Sequence, residues 1–222
     1  MAGSRRHARR ARDHHLRHRA GWLPPRSDIA IAIAATQFES ADEYRVGGHL
    51  FDTAEAIDEF GRLCGEFPIT SSEDPASEDD PAGMALAVRQ LGAVAVGDDF
   101  LVTDSSRLAR AAVDGQIGAA LIKVNQAGTF TPASDTAKAA RAGGTAMIVS
   151  ARSGETEDVS VSHLATVWCA DAVKVGSITR GERTRSGTSC PASMRNSAGF
   201  HSHRPPVREL RQSTAQPFDP AT

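Results

Sequence analysis

The chain has 222 residues, of which 40% are hydrophobic, and a formal net charge of −2, which fits a soluble globular protein of one domain with a real core. No apolar run approaches the ~20 residues of a membrane-spanning helix, the N-terminus lacks the apolar stretch of a secretory signal, and the three cysteines (Cys64, Cys169, Cys190) give neither a metal spacing nor a disulfide framework. No membrane partner and no export are expected, and a reducing cytoplasm is the expected location.

The near-zero net charge hides three unlike segments. Residues 1–19 form a basic arm, with arginines at 5, 6, 9, 10, 12, 17 and 19 and histidines at 7, 14, 15 and 18 against the single Asp13. Residues 184–222 form a tail rich in Ser, Pro, Arg and His without apolar periodicity. Both ends read as disordered. Residues 20–183 carry the acidic charge and nearly all the aliphatic runs.

In that middle segment, Val/Ile/Ala-rich runs begin near Ile29, Pro68, Ala93, Ala119, Thr145 and Ala172, spaced 25 to 27 residues apart from the second onward. Between them, apolar residues recur at three- and four-residue steps over Ala54–Cys64, Gly83–Leu91, Ser105–Val113, Ala133–Arg141 and Val159–Trp168, which predicts helices. Strand, helix, strand at this period implies right-handed βαβ units on a parallel sheet. Runs that are apolar throughout fit strands buried on both faces. The fold class is therefore α/β, a partial TIM-type (β/α) barrel of about six parallel strands alternating with helices. A closed (β/α)8 barrel has eight strands, so two edges are left that invite association.

The charged clusters fall where the strands end. Glu73-Asp74 follows the second run, Asp98-Asp99 the third, Lys123 the fourth, Ala151-Arg152-Ser153 the fifth, and Lys174 closes the sixth with Ser177. In a parallel barrel these ends share one mouth, where active sites are built. Polar loops alone also place charges there. Glu73 and Asp98 also suit helix N-caps, and Lys174 a solvated loop. Against those readings, the set is chemically coherent, with carboxylates for a metal, then lysines and an arginine for an anion. The lysines are telling, because of 25 Lys and Arg only three are lysine, namely Lys123, Lys138 and Lys174. A lysine retained at a strand end points to chemistry that arginine, always protonated, cannot do.

These residues resemble the C-terminal barrel domain of enolase, the glycolytic phosphopyruvate hydratase. Pro68-Ile69-Thr70-Ser71-Ser72-Glu73-Asp74-Pro75 resembles its metal-carboxylate strand, and Val96-Gly97-Asp98-Asp99-Phe100-Leu101-Val102-Thr103 its next metal strand. Leu121-Ile122-Lys123-Val124-Asn125-Gln126 is similar to the catalytic-lysine strand, Ser150 to Asp158 to the family signature, and Lys174-Val175-Gly176-Ser177 to the last strand. The motifs come in family order and spacing, from about Ala20 to about Arg183.

The resemblance implies reversible dehydration of 2-phosphoglycerate to phosphoenolpyruvate with magnesium. Glu73 and Asp98 would ligate Mg2+, Lys123 would remove the proton beside the carboxylate, Arg152 and Ser153 would hold the phosphate, and Lys174 the substrate carboxylate. Deprotonating carbon beside an ionised carboxylate creates an enediolate that cations stabilise.

The sequence also departs from the family. Ile29 to Phe38 holds no Asp where a third metal carboxylate is expected, Gln37 stands for a Glu, and Ala151 for a His. The first barrel strands and the N-terminal domain with its general acid have no counterpart, and residues 1–19 and 184–222 both read as frameshifted. A truncated enolase of impaired or lost activity is the expectation. The alternative is a non-catalytic protein that binds a phosphorylated metabolite, self-associates, or pairs with an intact enolase through its open edges. Nucleic acid is not expected as a partner, because the basic arm has no interleaved aromatics and no recognition motif follows it.

Overall fold

The computed structural model describes residues 28–40, 43–152 and 158–176. The expected arm and tail, 1–19 and 184–222, lie outside the described residues. Contacts divide the chain into two units. The first takes the residues up to Phe100 with Asp114–Gly118, and the second takes Leu101–Val113 with the described residues from Ala119 onward.

The first unit opens with β1 (Ile29–Ala32) and a 3-10 turn (Ala35–Phe38), then β2 (Glu39–Ser40), β3 (Glu43–Val46) and β4 (His49–Phe51). These three short strands form an antiparallel sheet in the order β2-β3-β4. Gly47 and Gly48, at φ 72° and 84°, make the two-residue turn between β3 and β4, where a primed turn requires left-handed backbone at both positions. Helix α1 (Thr53–Glu66) follows. Asp52 caps it, its carboxylate accepting the Glu55 N–H at 2.8 Å while Glu55 accepts the Asp52 N–H at 3.0 Å. Ala56, Ile57, Phe60 and Leu63 form its buried stripe. Pro68 forces Phe67 out of the helical region and the helix stops.

Strand β5 (Ile69–Glu73), α2 (Pro81–Gln90) and β6 (Val94–Gly97) complete this unit. Here β1, β5 and β6 pair in parallel, with Ala32 opposite Glu73 and Glu73 opposite Val96. The core joins Ile57, Phe60, Leu63, Ile69 and Leu91 to Tyr44 and Val46 of the small sheet.

The second unit contains α3 (Ser105–Val113), β7 (Ala119–Ile122), α4 (Val124–Ala127), α5 (Phe130–Ala142), β8 (Ala146–Ser150), α6 (Ser160–Val167) and β9 (Ala172–Lys174). Its parallel order is β7-β8-β9, with Ile122 opposite Val149 and Ser150 opposite Lys174. All four residues of β7 are buried, as a strand covered on both faces requires. Ile122, Met147, Val149, Ala137, Ala165 and Trp168 form the core.

Six parallel strands alternating with helices make this an α/β partial TIM barrel. All six begin within about a residue of the expected positions, because uniformly apolar runs mark doubly covered strands well. The antiparallel β2-β3-β4 sheet is an addition to that expectation. Among the described residues no helix is long and apolar enough to cross a membrane.

Candidate functional site

In the first unit, two neighbouring parallel strands deliver carboxylates at the same end. Glu73 is the last residue of β5, and Asp98 directly follows β6. The parallel pairing runs one step beyond β5, where the Asp74 N–H donates to Val96 O at 2.9 Å. Asp74 then turns into left-handed backbone at φ 41°. This bends its carboxylate under the chain leaving β6, where Oδ1 accepts the Asp98 N–H at 2.9 Å and Oδ2 the Asp99 N–H at 2.8 Å.

The result is a group of three carboxylates, Asp74, Asp98 and Asp99, offering oxygen atoms within 4.8 Å of one another. Asp74 and Asp98 are buried, at 3% and 5% exposure, while Asp99 is open to solvent. Burial pushes the Asp74 carboxyl up to about 6, helped by the neighbouring charges of Asp98 and Asp99 and opposed by the two N–H donors. An acid held that high by loss of solvent and like charge gains from any cation placed beside it. Carboxylate oxygens are also the donors a hard divalent ion takes. Each Asp74 oxygen spends one lone pair on an N–H and keeps another. The residues therefore fit such an ion.

Glu73 is half-buried and stands outside this group of three. Next to it, the Ser72 hydroxyl is buried with no hydrogen-bond partner among the described residues.

In the second unit, two lysines stand at strand ends. Lys123 directly follows β7, keeps an extended backbone (φ −124°, ψ 113°) and is half-buried. Lys174 ends β9 opposite Ser150, and its carbonyl accepts the Ala151 N–H at 2.9 Å. Continuing the Ile122–Val149 register by one step sets Lys123 opposite Ser150 as well. Lys123 and Lys174 thus flank Ser150 from either side, about 10 Å apart at the backbone for two strand spacings. Arg152, two residues beyond β8, is exposed. Ser153 lies outside the described residues.

The sequence points to Glu73, Asp98, Lys123, Arg152, Ser153 and Lys174 and gives no role to Asp74. The doubled acids Glu73-Asp74 and Asp98-Asp99 were the available signal. Which member of each pair faces the other strand depends on the left-handed turn at Asp74, and nothing in the residue types announces that turn.

Residues 17–186 match the family described as "Enolase, C-terminal TIM barrel domain". The chain is 42% identical over 170 residues to an enolase of Aeropyrum pernix, covering 75% of this chain and 39% of that one. It is 39% identical over 170 residues to an enolase of Thermococcus gammatolerans, with 74% and 39% covered, and 39% identical over 156 residues to one of Methanocaldococcus jannaschii, with 70% and 37% covered. The chain spans about two fifths of the length of these relatives. With the metal-type carboxylates and the lysines at parallel strand ends, these matches establish that the chain belongs to the enolase family.

Proposed function

We propose that this chain carries enolase chemistry at reduced rate, the reversible dehydration of 2-phosphoglycerate to phosphoenolpyruvate in cytoplasmic glycolysis. The observation that supports this is the register of the second unit, in which Lys123 follows Ile122, the partner of Val149, and Lys174 pairs with Ser150. Lys123 takes the proton from the carbon beside the substrate carboxylate. The electron pair left behind moves into the carboxylate as an enediolate, then returns to expel the neighbouring hydroxide, which takes a proton from solvent and leaves as water. Lys174 holds the carboxylate, and Arg152 and Ser153 hold the phosphate. Glu73 and Asp98 would hold Mg2+, with Asp74 and Asp99 beside Asp98 adding negative charge that favours a cation. Bound there, the ion would supply positive charge that offsets negative charge developing on a substrate.

Two features within the chain support attenuation. Ile29 to Phe38 offers no carboxylate where the family has its third metal ligand, and Ala151 stands where the family has a histidine. Losing one acid/base or polar contact of this kind typically costs about 10²–10⁴ in rate.

The test follows phosphoenolpyruvate formation by coupled assay with and without magnesium. A slow, magnesium-dependent rate abolished by Lys123→Ala is expected. A rate that Lys123→Ala leaves intact overturns the proposal.

A second reading, pairing with a second copy or with a full-length enolase, is supported by β1 and β9, which are end strands among the described residues. Size-exclusion chromatography of the chain alone and mixed with an enolase checks it, and elution as an unmixed monomer in both runs sinks it.

A further inference from the structure

Between Leu101 and Asp104 the chain makes a turn with two consecutive β-branched residues in left-handed backbone, Val102 at φ 46° and Thr103 at φ 53°. Neither residue type adopts that conformation readily, and such outliers persist only where the surroundings over-determine them. The turn is anchored at both ends. Leu101 is fully buried, and Asp104 starts α3, its carboxylate accepting the Ser106 and Arg107 N–H groups at 2.9 and 2.8 Å.

The strained conformation delivers the Thr103 hydroxyl to one place. Thr103 Oγ1 accepts the Lys123 N–H at 3.1 Å and donates to Gln126 Oε1 at 2.6 Å. The Thr103 carbonyl in turn lies 2.8 Å from the Thr136 hydroxyl, which shares its hydrogen with Pro132 O at 2.9 Å. Both threonines are buried. On its other side the Lys123 carbonyl accepts the Gln126 and Ala127 N–H groups at 3.1 and 3.2 Å. Lys123 is thus gripped at its N–H by Thr103 and at its C=O by the first turn of α4.

From this geometry we infer that Thr103 is a positioning residue for Lys123. Its hydroxyl sets the backbone from which the lysine side chain projects, and the left-handed turn exists to bring that hydroxyl there. A structural role alone needs only a buried side chain of this volume, which valine supplies. Positioning needs the oxygen. The part concerning the reaction rests on the proposed enolase activity, whereas the placement of Lys123 does not.

The three lysines make the test direct. A limiting dose of an acetylating reagent is applied to the folded protein, and modification of Lys123, Lys138 and Lys174 is read by peptide mass spectrometry. Lys138 and Lys174 serve as references within each sample. Thr103→Val removes the hydroxyl and keeps the volume. Thr103→Gly removes it while relaxing the left-handed backbone, which keeps a folded sample available if the valine variant unfolds. Thr103→Ser retains the oxygen.

The expected result is a change of about threefold or more in the Lys123 rate relative to both references in the valine and glycine variants, with the serine variant like wild type. An unchanged Lys123 ratio, or an equal change at all three lysines, overturns the inference. Where wild type forms phosphoenolpyruvate, Thr103→Val should lower kcat by about tenfold to a hundredfold with little change in KM. A wild type without turnover counts against the enolase proposal alone, since the labelling still reports on Thr103.

Discussion

Asp74 holds Asp98 by its main chain, one carboxylate oxygen accepting the Asp98 N–H at 2.9 Å and the other reaching the next N–H, that of Asp99, at 2.8 Å. A buried acid thereby fixes how the chain leaves β6 and where the Asp98 carboxylate lies. The same burial makes Asp74 costly to ionise, which sets the first prediction.

The folded protein holds the Asp74 proton more tightly than the unfolded chain, with the carboxyl raised from 3.8 to about 6. The stability from this group is fully present below about pH 4 and is lost as pH rises through about 6. Asp74→Asn keeps a neutral side chain at every pH. In chelator, its stability relative to wild type should therefore rise between pH 4 and pH 7, by about 3 kcal/mol for roughly two pKa units. Urea denaturation at the two pH values measures it. A gap independent of pH would mean the carboxyl is not raised.

Magnesium should raise the melting temperature of the wild type more at pH 8 than at pH 5, because protons compete for the same carboxylates. Asp98→Asn should weaken binding tenfold or more, a loss of the size seen when a metal site's ligands or their partners are changed. Glu73→Gln, Asp74→Asn and Asp99→Asn, titrated side by side by calorimetry, rank the remaining carboxylates. Full affinity in Asp98→Asn would place the ion elsewhere.

Gly83 is a helical glycine that alanine should not improve. A Cβ there would lie 2.4 Å from Asp80 Oδ2 and 2.7 Å from Thr53 Cγ2. That Asp80 carboxylate caps α2 through the Gly83 N–H at 2.7 Å, and it also accepts the Thr53 hydroxyl at 2.7 Å. Glycine to alanine inside a helix ordinarily gains about 1 kcal/mol. Here the clash displaces the cap and its half-buried partner, and the net effect should be a loss of about 1–3 kcal/mol. A higher melting temperature for Gly83→Ala would show that Asp80 can move aside freely.

Leu121 and Val113 should respond oppositely to truncation. Leu121 is buried within β7 at 1% exposure, whereas Val113, at the end of α3, is 87% exposed. Leu121→Ala should cost about 2–5 kcal/mol, and Val113→Ala should stay within about 0.5 kcal/mol. Equal losses by chemical denaturation would contradict the described burial.

The sequence located the parallel strands because each is short, β-branched or alanine-rich, and bounded by polar text, as in Ala119–Ile122 and Ala146–Ser150. The longer helices followed from period alone, with Ser105–Val113 matched at both ends, whereas the single turn of α4 (Val124–Ala127) is too short to show a period. The small antiparallel sheet escaped because β2, β3 and β4 span two to four residues each, too few for alternation to register. The Gly47-Gly48 pair was its one local signal. Its use emerges only in space. Tyr44 of β3 accepts the Ser77 N–H at 2.9 Å, and Ser77 is also bonded to Glu39, so the small sheet braces the loop after β5.

By itself the sequence determined which residue types stand at the end of each parallel strand, since strand positions follow from local apolar runs and each strand end carries the chemistry beside it. Only the tertiary structure decided that Asp74 joins Asp98 and Asp99, and that Thr103 reaches Lys123. Both depend on non-glycine residues held in left-handed backbone. The surrounding packing imposes that conformation against local preference, so no local pattern of residues encodes it.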